Sequence, residues 1–382
     1  MRSPARALLI IVVAGSVIAT ASPASASAGR DYADQRLQAG IDALVARPDG
    51  PPGVIAVVQR GDRVLVFRAG VSNLKTGAPM RPWLHMRIAS TAKAYSGGVA
   101  LSLVEEGVMS LDDTVGELLP WTNPDWHAVT LAQALHHTSG IPDVLDSTAF
   151  IDAVIASPHD APSPRKLLSY LRHEDLRFPP DSAYEYSNSD NIVVGLMAKA
   201  ATGERYEQLL ARLVTGPLGL ADTTLPRGVP MPPPFMHGYQ WNGHHPPDDV
   251  TNFLASGWSW ASGGIVSTPL NQNRFIRGYI GRQLFDATTQ QAQFAFVDGG
   301  SEPTGPGQNR AGLAVFRYRT RCGAVFGHTG NTSGFTQFMA ATRSGRRSAV
   351  VSVNRQITPT TLPDLFVDLR GVFERAVCSA RT

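Results

Sequence analysis

Ser90 and Lys93 stand three residues apart in Ser90-Thr91-Ala92-Lys93, at the head of an apolar run that reads as a helix over 91–106 with Gly107 as its C-cap. Positions i and i+3 share a helix face, so the ammonium can reach the hydroxyl. A partly desolvated lysine has a lowered pKa and helps to activate the serine as a nucleophile. The backbone N–H groups of the helix start favour negative charge developing on a substrate oxygen. The same pattern recurs in Ser72-Asn73-Leu74-Lys75 and Ser163-Pro164-Arg165-Lys166. Ser72 lies in a turn bounded by Gly and Pro, and Ser163 followed by Pro164 reads as an N-cap with proline at the first helical position. Ser90 is therefore the candidate nucleophile.

Two further runs could complete an acylating site. Tyr186-Ser187-Asn188 is the one place where asparagine follows a tyrosine by two residues. A phenol beside a cationic lysine has its pKa depressed and can act as base toward Ser90, then return the proton to a leaving group. Asn188 offers an amide to hold the acyl part of a substrate. The competing structural reading is a buried tyrosine at a loop–helix junction followed by an asparagine turn. His328-Thr329-Gly330 follows the apolar run 324–327 and leads into Asn331. A glycine on a strand there lets a substrate backbone approach closely and exposes an N–H to an oxyanion. Lys75-Thr76-Gly77 matches the lysine form of that triplet, but it precedes Ser90 and sits in a turn. No metal or cofactor is expected: His136-His137 and His244-His245 are adjacent pairs that cannot share a helix face, and no His-Glu-x-x-His occurs.

These residues need a scaffold. The runs 53–60 and 63–69 are rich in β-branched residues and flank Gly61-Asp62, a short hairpin signal, so Arg60-Gly61-Asp62 reads as a turn rather than an adhesion tripeptide. Roughly from 111 to 260, short helical stretches at 130–137, 165–174 and 191–202 alternate with loops rich in Pro and Gly. Strands are predicted at 324–327, 334–342 and 348–354, with Ser344-Gly345 in the last turn, followed by an amphipathic helix over 362–377. The pattern implies an α/β (α+β) fold: an antiparallel sheet built from both chain ends, flanked by helices, with an inserted, mainly helical lobe and a site in the cleft between them.

The chain has 382 residues and a formal charge of +3. Arg2 and Arg6 precede the apolar stretch 7–20 and a small-residue run ending at Ala28, which reads as a secretory leader over residues 1–28. Its apolar stretch is short for a membrane span, and no later segment supplies ~20 consecutive apolar residues. The mature chain, 29–382, is expected to be soluble, extracellular and monomeric. Without the leader the charge falls to +1, which excludes an electrostatic footprint for nucleic acid. Two cysteines without metal-ligand spacing, Cys322 and Cys378, point in an exported chain to a disulfide, with two free thiols as the alternative.

Taken in order, Ser-x-x-Lys, Tyr-x-Asn and His-Thr-Gly resemble the serine penicillin-recognising hydrolases, most closely the secreted D-alanyl-D-alanine carboxypeptidases and their class C β-lactamase relatives. Supporting matches are Leu135-His136-His137-Thr138-Ser139-Gly140, Gly216-Pro217-Leu218-Gly219-Leu220 and Ser262-Gly263-Gly264-Ile265-Val266-Ser267-Thr268. The resemblance implies Ser90 as nucleophile, with Lys93, Tyr186 and His328 as its catalytic partners. It implies Asn188, Thr329, Gly330 and Asn331 as substrate-binding groups, and N–H groups of Ser90 and Asn331 as the oxyanion hole. It places Trp258 on an aromatic wall of the cleft, and it also matches the Cys322–Cys378 pairing. Asp181 stands where glycine is usual, Asn191 where an aromatic is common, and Asn331 where a small hydroxyl residue is typical. Phe316, with Arg317 beside it, holds the position of a carboxylate-binding arginine. The implied activity is that of a carboxypeptidase acting on peptidoglycan peptides and acylated by penicillins. An esterase, a D-amino-acid amidase or a β-lactamase on the same fold are the alternatives, and a catalytically silent binding protein is disfavoured by retention of all three motifs.

Overall fold

The structure, a computed structural model, describes residues 23–243 and 245–382, with side chains from Gly29 onward. The leader expected over residues 1–28 lies outside the described residues apart from the backbone of its last six, and His244 lies outside them too. A run that is apolar and β-branched on both faces suits a strand covered on both sides. GVIAVVQR forms such a strand, β1 (Gly53–Arg60), whose seven leading residues are buried. Gly61, at φ +56°, makes the turn into β2 (Arg63–Asn73), and β3 (Ala78–Pro79) follows.

Six more strands come late in the chain: β4 (Val297–Asp298), β5 (Asn309–Gly312), β6 (Val315–Thr320), β7 (Gly323–Thr332), β8 (Phe335–Ala341) and β9 (Arg347–Val353). Together they form one nine-stranded sheet in the order β3-β2-β1-β9-β8-β7-β6-β5-β4, antiparallel at every pairing. The two ends of the chain meet at its centre, where Val54 lies opposite Val353 and Arg60 opposite Arg347.

Alternation along each strand feeds two cores. Val54, Ala56 and Val58 join Phe338, Val351 and Val353 on the face covered by α1 (Pro23–Ala46) and by the last helix (Pro363–Arg381). That last helix buries Leu365, Phe366, Leu369, Val372, Phe373 and Val377, an i, i+3, i+4, i+7 stripe. Cys322 and Cys378 form a disulfide that ties it to the start of β7. Ile55, Val57, Phe335, Met339 and Val350 face the other way, into the core shared with α2 (Ala92–Glu105) and α4 (Pro269–Ile280), and α3 (Asn188–Thr202) packs on α2. The terminal helix is thus α5. Each such side chain taken fully out of water contributes ~1.5–3 kcal/mol. No described helix is long and apolar enough to cross a membrane.

Candidate active site

A helix buried all round is apolar all round. α2 buries twelve of its fourteen residues, Ala92 through Leu103. Gly97 allows this, because a Cβ there would stand 2.3 Å from the Ala314 Cβ. Ser90 sits on a 3-10 turn, Ala89–Thr91, at the head of this helix. Ala89 takes a left-handed φ of +47°, and the Thr91 hydroxyl donates to Ile88 O at 2.6 Å. Backbone strain of this sort costs about 1–3 kcal/mol and persists only where its surroundings hold it. Here it fixes the serine's approach to the cavity.

Lys93 has no exposed surface. Its ammonium donates to Ser90 Oγ at 3.1 Å, to Asn188 Oδ1 at 2.7 Å and to Ser262 O at 2.9 Å. Burial lowers its pKa to about 7, against the opposing pull of Asp143, Glu302 and Asp190. Two of the three partners are carbonyl oxygens, which can only accept. A neutral Lys93 therefore spends its two N–H groups on them and turns its lone pair toward the Ser90 hydroxyl. Asn188 is held in turn, its backbone N–H at 3.0 Å and its Nδ2 at 2.8 Å both donating to Asp143 Oδ2.

Tyr186 reverses one expectation. Burial raises its phenol well above 10, and the nearby Ser90 hydroxyl opposes this only in part. Lys93 Nζ lies 4.9 Å from the ring centroid, yet desolvation of a phenolate outweighs that attraction. The phenol is accordingly protonated, a proton donor rather than a standing base. Its hydroxyl makes no well-formed hydrogen bond.

The sequence reading missed what holds Tyr186 in place. His137, itself left-handed at φ +60°, accepts from Glu185 N–H through its carbonyl at 3.0 Å. It also receives Ser187 N–H at Nδ1, at 3.4 Å, and packs its ring 4.5 Å from that of Tyr186. Asp190 lies 2.8 Å from the same nitrogen and accepts from Ser139 Oγ at 2.5 Å. Burial pushes His137 down to about 3 and Asp190 well up, which favours the uncharged form of each. The Leu135-to-Gly140 run carried this signal in the sequence, without a role attached.

Strand β7 brings the third motif against the nucleophile. A Cβ on Gly330 would lie 2.7 Å from Ile88 O and 2.9 Å from Ser90 N, so only glycine lets the strand approach this closely. Thr329 is buried and its hydroxyl is spent on Pro303 O. His328 does not take the position expected of it: it is fully buried, outside the cavity lining, with Nδ1 2.6 Å from Thr329 O. Burial, then Lys93, hold its pKa well below 6.5, so it is neutral and supplies no charge to a substrate carboxylate. Its ring meets Phe316 edge-on at 4.9 Å. Arg317, on the opposite face of β6, lies over Phe296 at 5.5 Å. Trp258 is likewise no cleft wall: it packs on Phe150, and its indole N–H donates to Ser157 O at 3.1 Å.

Above Ser90 opens a cavity of about 550 Å³, lined among others by Tyr186, Asn188, Leu254, Glu302 and Asn331. Asn331 Oδ1 accepts from Gln356 at 2.7 Å. Structure thus gathers Ser90, Tyr186, Asn188 and Asn331 at the cavity, with Lys93 and Gly330 directly behind. Among the described residues no cluster could hold a metal ion.

A serine set against a buried, near-neutral lysine and a protonated phenol, under an open cavity, is the apparatus of a serine hydrolase. The profile of the Beta-lactamase family matches residues 41–369, and the chain belongs to that family. The D-alanyl-D-alanine-carboxypeptidase/endopeptidase AmpH of Escherichia coli (strain K12) is 26% identical over 349 residues, 84% of this chain and 86% of that protein. A D-aminopeptidase of Cereibacter sphaeroides is 26% identical over 326 residues, 84% of this chain but 60% of that protein. The fold is shared with a D-stereospecific amidohydrolase from Streptomyces sp., with a TM-score of 0.76, 24% identity and 88% and 98% of the two chains covered. It is shared equally with the D-amino acid amidase from Ochrobactrum anthropi SV3, with a TM-score of 0.78, 21% identity and 92% and 100% covered.

Proposed function

We propose that the chain is a serine amidohydrolase that cleaves amides or peptides of D-amino acids through an acyl-enzyme on Ser90. Ser90 Oγ attacks the carbonyl carbon while Lys93 takes its proton. The carbonyl electron pair moves onto oxygen, facing the N–H groups of Ser90 and Asn331. Tyr186 gives its proton to the leaving nitrogen as the C–N bond breaks, and Asn188 holds the acyl part. Water then hydrolyses the ester by the reverse sequence of proton transfers. The observation that carries this reading is the hydrogen-bond set of Lys93, which leaves the neutral amine facing Ser90. The D-configuration is inferred from the names shared by the relatives. The leader expected over residues 1–28 and the Cys322–Cys378 bond support action outside the cytoplasm.

A D-alanyl-D-alanine carboxypeptidase is the second reading, supported by the AmpH relative, whose length the match covers almost throughout. A substrate panel decides: a D-alanyl-D-alanine peptide, its C-terminal amide, a chromogenic cephalosporin and a short-chain ester. Hydrolysis of the amide at least as fast as the free acid supports the amidohydrolase. A preference for the free acid moves the assignment to the carboxypeptidase, and turnover that survives Ser90→Ala defeats both.

A further inference from the structure

The walls of the cavity carry a charge pattern that the catalytic steps do not use. Its lining holds one carboxyl group, that of Glu302, and no Lys, Arg or His. Burial, then the neighbouring acids Asp143, Asp146 and Glu185, raise the pKa of Glu302 above the usual carboxylate value, and Lys93 opposes them. Each of the three acids is already engaged. Asp143 accepts from Asn188 and, at 2.9 Å, from Leu145 N–H. Arg177 pairs with Asp146 at 2.5 Å and with Glu185 at 2.7 Å. Among the described residues Glu302 has neither a hydrogen bond nor an ion pair, and its side chain is exposed to the cavity. The buried Tyr186 hydroxyl, also unpartnered, lines the same space.

The loop holding Glu302 is bolted down on both sides. Gly300 O accepts from Tyr184 Oη at 2.5 Å, two residues before Tyr186, and Pro303 O accepts from Thr329 on β7. Glu302 is close enough to Tyr186 for its charge to act on the phenol, the group proposed to protonate the departing amine. Arg317 is turned onto Phe296, and Lys93 is buried beneath Ser90.

We propose that Glu302 selects substrates whose leaving group carries a positive charge, a primary ammonium, and turns away those whose leaving group ends in a carboxylate. The inference rests on the Ser90 acyl-enzyme reading and adds a substrate class to it. An ammonium in that space pairs with the Glu302 carboxylate, whereas a carboxylate sets a second like charge beside it.

Three N-acetyl-D-alanyl amides that differ in the departing amine alone test it: ethylenediamine (cationic), propylamine (neutral) and D-alanine (anionic). Wild-type kcat/KM is expected to fall in that order. Glu302→Gln should cut the cationic-to-neutral ratio of kcat/KM by ~10–100-fold, mostly through KM, as loss of a hydrogen bond to a charged group does. Glu302→Lys should invert the order of the cationic and anionic substrates. Equal ratios in wild type and Glu302→Gln overturn the proposal, as does failure of the wild type to favour the cationic amide over the neutral one. Labelling of the Ser90 peptide by penicillin, followed in parallel by mass spectrometry, separates the two levels. Labelled Ser90 with no charge preference refutes the Glu302 assignment alone, and absence of labelling together with absence of amide cleavage refutes the acyl-enzyme reading on which it rests.

Discussion

Lys93 as the acceptor of the Ser90 proton makes a pH profile the sharpest assay of the mechanism. Taking this amine out of water lowers its pKa from 10.5 to about 7, a change of about 5 kcal/mol in the balance between its charged and neutral forms. Burial is the larger influence, and Asp143 is the strongest of the charges that oppose it. With only neutral Lys93 able to accept, kcat/KM for an uncharged amide should rise with pH through about 7 and then level off, lying ~100-fold below the plateau near pH 5. Tyr186, raised well above 10 by its burial, stays protonated and adds no falling limb in the neutral range. Asp143→Asn removes the charge that most favours the ammonium while keeping one acceptor for Asn188, so the rising limb should move to lower pH. Stability follows with a definite sign. Because the folded pKa lies below the unfolded one, the unfolded chain binds the extra proton between about pH 7 and 10.5. The penalty of burying Lys93 is therefore full below 7 and is relieved as pH rises toward 10.5. Rates and thermal midpoints measured across that range test both halves. A limb near 10, or one that Asp143→Asn leaves in place, would refute the reasoning.

Penicillin should form a covalent adduct on the peptide containing Ser90, and mass mapping that finds it on Ser72 or Ser163 instead would reassign the nucleophile. Gly330→Ala should lower kcat/KM by ~100-fold with little change in circular dichroism, because the new Cβ displaces the Ser90 backbone, where a shift of ~1 Å is enough. Full activity of that variant would show that β7 does not set the serine's position. Replacing both Cys322 and Cys378 by serine should cost ~4 kcal/mol in urea unfolding, from the chain entropy of the 56-residue separation they close. Two thiols titrated in the denatured, unreduced protein would count against the bond itself.

The hairpin around Gly61 and the stripe of α5 could be read from local pattern, because turn chemistry and 3.6-residue periodicity are local properties. α4 escaped that reading: it buries Asn271, Gln272 and Asn273, and polar residues in a core have reasons that lie elsewhere in the chain. Asn273, for one, donates to Ser348 Oγ at 2.9 Å. In the site, Ser90, Lys93, Tyr186 and Asn188 were visible as short motifs. Ser262 O was not, since a backbone carbonyl has no signature of its own, and the burial that reverses the titration of Tyr186 and neutralises His328 is a tertiary property. Asp181, the departure from glycine noted in the sequence, has a physical account. It adopts φ +64°, a conformation open to Asp, and its carboxylate is held by Thr138 at 2.7 Å and Gln133 at 2.8 Å.

The closure of the sheet between β1 and β9 bears on the order in which the molecule can be made. The first strand to leave the ribosome finds its inner neighbour only when the last strand has been synthesised, and α1 packs against α5, the final element. Asp34, near the start, shares hydrogen bonds with Arg60 and with Ser379, three residues from the end. A partial chain of any length short of this therefore lacks the centre of its own sheet, and contacts so distant along the chain form slowly. The pairing that completes the sheet, and the packing of α1 on α5, are thus deferred until those late elements have been made.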